Sequence, residues 1–207
     1  MFSFGIFVSD FKIFTSMHDK LLAYICSDHD CTQKEIDAVR KYFEPVAFSK
    51  NTVIEEAGKV PQYLYYIVSG YLRLFYEDQN GNEVTTHINC PPGFFTSYSE
   101  FIDGRVSENK VECITDCELL RISKTDLDLL IHESQAMKDF SISVFQQSIT
   151  YNENRSKALS VLNAEQRYLK LMEEYPGIIQ NVPIQYIASF LGMKPESLSR
   201  IRRKIIN

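Results

Sequence analysis

The stretch Val182-Pro183-Ile184-Gln185-Tyr186-Ile187-Ala188-Ser189-Phe190-Leu191-Gly192-Met193-Lys194-Pro195-Glu196-Ser197-Leu198-Ser199-Arg200-Ile201-Arg202-Arg203-Lys204 decides the reading of this chain. Ile184, Ile187, Ala188 and Leu191 stand at i, i+3, i+4 and i+7, one face of a helix. Gly192 supplies a tight turn, and Ala188 is small enough for a close helix crossing. Leu198, Ile201 and Ile205 form a second apolar face. Two short helices joined by a brief glycine-containing turn make a helix-turn-helix. Projected at about 100° per residue, with its buried face between Leu198 and Ile201, the second helix presents Glu196, Ser199, Arg200 and Arg203. Ser197, Arg202 and Lys204 flank that face, and Lys194 precedes it. An Arg fork pairs with guanine or phosphate, Glu accepts from cytosine N4, and Ser bonds base edges or phosphates. These eight side chains are the candidate contacts to double-stranded DNA.

The charge balance agrees. The chain of 207 residues has a net charge of -5, which excludes a protein that coats nucleic acid indiscriminately. Residues 164–207 hold seven Lys and Arg against four Asp and Glu, whereas residues 1–163 hold 15 against 23. Positive charge is concentrated at the C-terminal end. Pro176-Gly177 ends the first of three short helices predicted there, and Pro183 and Pro195 suit the first turns of the other two.

Upstream, residues 125–162 contain no Pro or Gly, and Ser123 or Thr125 is placed to cap a start. One continuous helix of about 55 Å is predicted. A small β-domain cannot cover its whole apolar stripe, so Met137, Phe140, Val144 and Tyr151 are expected to form the seam of a homodimer. Between 46 and 122 the pattern is short runs rich in Val, Ile, Tyr, Phe and Thr: Val53–Ile54, Tyr63–Val68, Tyr71–Tyr76, Val84–Ile88, Val111–Ile114 and Leu119–Ile122. Asn80-Gly81 is a strong hairpin signal, and Pro91-Pro92-Gly93 breaks the chain. A β-sandwich, jelly roll or small barrel is predicted. Residues 19–43 read as two helices, the second opened by a capping box of Thr32 and Glu35.

Other features narrow the class. No apolar run reaches the ~18 residues of a membrane span, which excludes an integral membrane protein of the helical kind. Residues 1–16 lack the basic start and cleavage site of a signal peptide, and Met17 is a candidate natural start. Five irregularly spaced cysteines suggest reduced thiols and a cytoplasmic location rather than a disulfide framework. G-x-S-x-G, P-loop and H-E-x-x-H motifs are missing, and the four histidines are scattered, so an enzyme is not expected.

The chain resembles Crp/Fnr-type transcription regulators over residues 19–207, in the short form common in Bacteroidetes-type bacteria. Four stretches carry the resemblance: Tyr63 to Leu74, Gly93 to Tyr98, Glu165 to Leu169, and Tyr186 to Gly192 with Pro195 to Arg200. The last is the most specific. The resemblance implies an α+β chain with four parts: a leader at 1–17, a cyclic-nucleotide-binding-like jelly roll at 18–124, a dimerisation helix at 125–163 and a helix-turn-helix domain at 164–207. It implies a palindromic operator and RNA polymerase as partners. An effector pocket is expected around Phe95, Thr96, Ser97, Tyr98, Ser99 and Ser107.

The departures from the family pattern refine this. Members that bind cyclic AMP hold the ribose with a Glu and the phosphate with an Arg. Here the Glu position falls in Phe94-Phe95-Thr96-Ser97-Tyr98, and the Arg position reads Val106-Ser107-Glu108. The pocket is therefore expected to take an unidentified small effector other than cyclic AMP, or none. Redox-sensing members hold an iron–sulfur centre with clustered cysteines, and Cys26 and Cys31, with Asp28, His29 and Asp30 between them, fall short of its usual four thiolates. Pro195 replaces an Arg common before the recognition-helix Glu, Lys194 replaces a capping Ser or Thr, and the end at Asn207 leaves no room for a terminal wing. These departures motivate a second reading, a ligand-sensing module that works through protein contacts with a weakened DNA domain.

Overall fold

The computed structural model describes residues 16–27 and 30–206. Most of the expected leader, and Asp28 and His29, lie outside the described residues. Helices α1 (Met17–Ile25) and α2 (Gln33–Tyr42) each open on a capping box, Ser16 with Asp19 and Thr32 with Glu35. The expectation of unbonded thiols needs correction here. The turn between the helices brings the Cα atoms of Cys26 and Cys31 to 5.7 Å, and the two are joined as a disulfide. Among the described residues, no group of three or more His, Cys, Asp or Glu is placed to hold a metal ion.

Eight described strands follow: β1 (Glu44–Phe48), β2 (Val53–Glu55), β3 (Tyr63–Ser69), β4 (Leu72–Glu77), β5 (Glu83–Asn89), β6 (Gly93–Phe95), β7 (Lys110–Cys113) and β8 (Cys117–Ser123). They form two antiparallel sheets, ordered β1-β8-β3-β6 and β2-β7-β4-β5. Alternating apolar residues of both sheets, among them Ile67, Leu72, Val111 and Leu119, meet in a buried layer. This is the jelly-roll type of β-domain. β1 and β6 were not predicted. Pro45 weakens the strand pattern of β1, but β1 is an outer strand, where a missing N–H is tolerated. β6 begins at Gly93, immediately after the cis Pro91-Pro92 bond. Gly70, at φ 98°, turns β3 into β4. A Cβ there would lie 2.5 Å from the Asp116 carbonyl oxygen, so only glycine fits.

The predicted single long helix is two helices, α4 (Lys124–Glu133) and α5 (Gln135–Val161). Ser123 caps α4. Ser134 makes the break: its backbone is extended, its Oγ accepts the Met137 N–H, and it donates to Glu35 Oε1 at 2.6 Å. α5 has 27 residues, about 40 Å. The C-terminal part holds four described helices rather than three: α6 (Ala164–Glu174), α7 (Pro176–Asn181), α8 (Ile184–Phe190) and α9 (Pro195–Ile206). Pro176 starts α7 instead of merely ending α6, and Pro183 caps α8 rather than entering it.

Candidate functional site

α8 and α9 form the helix-turn-helix. Ile187, Ala188, Leu191 and Leu198 are buried together with Tyr168 and Leu171 of α6 and with Ile178 and Val182. Gly192 takes φ 65° at the turn, and the Met193 N–H returns to the Ala188 carbonyl at 2.9 Å. Arg167 of α6 fixes that turn from behind: its Nε donates to the Leu191 carbonyl at 2.8 Å and its Nη1 to the Leu162 carbonyl at 2.6 Å. On the opposite side of α9, Glu196, Ser197, Arg200 and Arg203 are exposed, as is Lys194 just before it. Ser199 and Arg202 are half-buried, and Lys204 is drawn back to Glu165 at 2.9 Å. Arg200 and Arg203 have no ion pair among the described residues.

The DNA-side helices are docked on the β-domain. β5 is an outer strand, and α8 lies along it. Ser189 Oγ accepts the Thr85 N–H at 2.9 Å and donates to the Glu83 carbonyl at 3.4 Å. The buried Arg73 of β4 stacks between the rings of Phe75, at 3.8 Å, and Tyr186 of α8, at 3.7 Å. Its Nε and Nη2 pair with Glu112 and Glu83 at 2.6 Å each. From α5, Arg155 Nη2 donates to the Phe190 carbonyl at 3.2 Å and the Thr85 carbonyl at 3.5 Å. Arg73 Nη1, Thr85 Oγ1 and Arg155 Nε are buried without a partner, and all three belong to this contact.

The expected dimer stripe is turned inward. Met137 and Val144 are buried, Phe140 stacks edge-on against Phe94 at 5.8 Å, and Tyr151 lies 5.0 Å from the His87 ring. These four residues pack against their own β-domain, because α5 folds back onto the sheets it follows. Exposed large apolar side chains remain elsewhere on α5: Ile142 is 44% and Ile149, seven residues on, 59% exposed.

Of the six expected pocket residues, Phe95 and Tyr98 line one cleft beside α5, while Thr96, Ser97, Ser99 and Ser107 do not. Phe95 is part of the layer between the sheets. Ser99 is exposed, and the Ser107 hydroxyl accepts the Asn109 N–H. Tyr98 is packed edge-on to Phe145 at 5.9 Å, and burial pushes its phenol far up. Thr96 and Ser97 instead converge on Glu55 of β2. Thr96 Oγ1 donates to Oε1 at 2.7 Å, and the Ser97 N–H and Oγ donate to Oε2 at 3.1 and 3.0 Å. Burial raises the Glu55 carboxyl above its ordinary range, against the pull of these three bonds. Within the segment Phe94 to Tyr98, Ser97 thus serves a carboxylate of the chain's own. Glu55 had no local signal in the sequence, since its partners lie 41 and 42 residues away.

Residues 45–134 match the family model of the cyclic nucleotide-binding domain. The solved structures similar to this chain include FixK2 from Bradyrhizobium japonicum, with TM-score 0.68 and 16% identity over 79% of this chain and 84% of that one. The chain has the Crp/Fnr fold. A second similar structure is that of the c-di-GMP responsive global regulator CLP from Xanthomonas campestris, with TM-score 0.64 and 18% identity over 84% of this chain and 91% of that one. In sequence, the Cyclic AMP receptor protein of Thermus thermophilus is 25% identical over 177 residues, 84% of this chain and 82% of its own length. In this chain a β-domain, a long helix and a helix-turn-helix follow one another in that order. No described helix is long and apolar enough to cross a membrane.

Proposed function

We propose that this Crp/Fnr-type chain is a cytoplasmic transcription regulator that binds a palindromic operator as a homodimer. The observation that carries this reading is α9: a helix anchored by a glycine turn, whose outer face offers Arg200 and Arg203 unpaired beside Glu196 and Ser197. Those groups suit the major groove. Ile142 and Ile149 of α5 are the candidate seam, in place of the stripe now seen to face inward. Pairing there would carry two α9 helices toward grooves ~34 Å apart. RNA polymerase is the expected partner on DNA. The effector is a small molecule other than cyclic AMP, because Thr96 and Ser97 are already bonded to the chain's own Glu55 and Val106-Ser107-Glu108 offers no Arg for a cyclic phosphate.

The test is binding to a fragment containing the protein's own promoter, measured across a salt series. Each lost phosphate contact lowers the slope of log K against log salt by about 0.9, so Arg203→Ala should lower it by about 1.8 per dimer. Arg200→Ala is expected to weaken specific binding by about 1–3 kcal/mol per half-site. If both variants bind as wild type does, α9 is not the recognition helix.

A further inference from the structure

A cleft of about 1070 Å³ opens between α5, the β5–β6 segment and the α6–α7 corner, outside the Glu55 cluster. Its charge is one-sided. Arg155, Arg167 and Lys170 line it, against a single acid, Glu174, which Lys170 faces at 3.7 Å. Arg155 and Arg167 have no carboxylate partner among the described residues; both donate to backbone carbonyls, and Arg155 also lies over the Phe190 ring at 5.2 Å. They reach the consecutive carbonyls of Phe190 and Leu191, so the two guanidinium groups share one corner. Arg155 also keeps one N–H buried without any acceptor. A cation that stays partly buried without a counter-charge is costly, and a matching anion relieves that cost. Among the other walls, which include aliphatic and amide side chains, stand the flat rings of Tyr151, Tyr175 and His87.

We propose that this cleft is a binding site for a small organic anion carrying a flat ring. The charged group pairs with Arg155 and Arg167, and the ring lies among the aromatic walls. The volume suits such a molecule, since ligand pockets commonly span ~300–1,000 Å³. The face of α5 that lines the cleft, with Tyr151 and Arg155, is not the face that carries Ile142 and Ile149, so pairing through those two leaves it open. Occupancy acts on the group that ties β5 to α8, because Arg155 holds the carbonyls of Thr85 and Phe190. The site deepens the sensing role proposed above and rests on it only for this consequence; binding is read without DNA, so its failure leaves operator binding intact.

The probes are benzoate and phenyl phosphate, with benzamide and inorganic phosphate as the neutral and ringless controls, titrated into the full chain by calorimetry. Saturable binding of either aromatic anion, at least tenfold tighter than both controls, is expected. Arg155→Gln should weaken it at least tenfold. A measurement that needs no variant is the His87 imidazole followed by NMR. Burial first, and Arg155 second, hold its pKa down to about 4, and an anion at Arg155 should raise it. Equal binding of benzamide or of inorganic phosphate, no binding of either aromatic anion, unchanged binding by a folded Arg155→Gln, or an unmoved His87 pKa at saturation would each overturn the proposal.

Discussion

Ser189→Ala isolates the contact between the helix-turn-helix and the β-domain. The hydroxyl accepts the N–H of Thr85, a fully buried residue on an outer strand. Removing it leaves that N–H unmet for as long as α8 stays docked, at a cost of about 1–3 kcal/mol. Undocking lets water satisfy the group. The substitution therefore shifts the docked-to-open ratio by about 5- to 140-fold, at 1.4 kcal/mol per tenfold. Alanine is also the better helix former, which steadies α8 by up to ~0.5 kcal/mol, too little to reverse the sign. Amide hydrogen exchange reads the effect directly. Protection at Thr85 should fall by that factor, while Leu74 and Val111, paired inside the same sheet, keep theirs. Unchanged protection at Thr85 would refute the role given to Ser189. An equal loss at Leu74 and Val111 would show global unfolding rather than an opening of this contact.

Other outcomes follow from the same geometry. Glu55→Gln should alter the pH profile of stability: a carboxyl raised by burial contributes fully below its unfolded value and loses ground as pH rises toward the folded one, so the variant gains on wild type above about pH 4.5, checked by urea denaturation across pH. His87 works in the opposite direction. With a folded pKa near 4 against 6.5, it costs stability as pH falls through that window, on the order of 3 kcal/mol in full, and His87→Gln should flatten the acid limb of the same profile. Ile149→Glu places a charge on the exposed stripe of α5 and should leave the proposed homodimer as a folded monomer in sedimentation; a dimer that persists places the seam elsewhere.

Local signals made much of the fold legible. The capping box at Thr32 and Glu35, the apolar faces around Gly192 and the short apolar runs of the strands depend on neighbours within a few residues, and the structure has all of them. What escaped depends on partners far along the chain. The break at Ser134 needs Glu35, 99 residues away. Nothing near Glu55 marks it as buried rather than as an ordinary charge after Val53 and Ile54. A helix with several apolar stripes does not announce which one meets its own domain, so Met137, Phe140, Val144 and Tyr151 read as a seam, when Met137 and Val144 are core and Phe140 and Tyr151 pack half-buried beside them. The roles of Arg73, Arg155 and Arg167 have no local mark, because stacking between rings and bonding to carbonyls leave no sequence pattern.

The cover that α8 gives to β5 bears on how freely such chains trade parts. An uncovered outer strand is a template for any other strand, and here Ser189 of the helix-turn-helix and Arg155 of α5 supply the donors and acceptors that blunt it. A sensor grafted onto a foreign DNA-binding module would carry a sticky β5 edge unless the new module brought equivalents of Ser189 and Tyr186. The two halves are thus bound to evolve as a matched pair, and a shuffled chimaera would first betray itself by self-association rather than by loss of ligand or operator recognition.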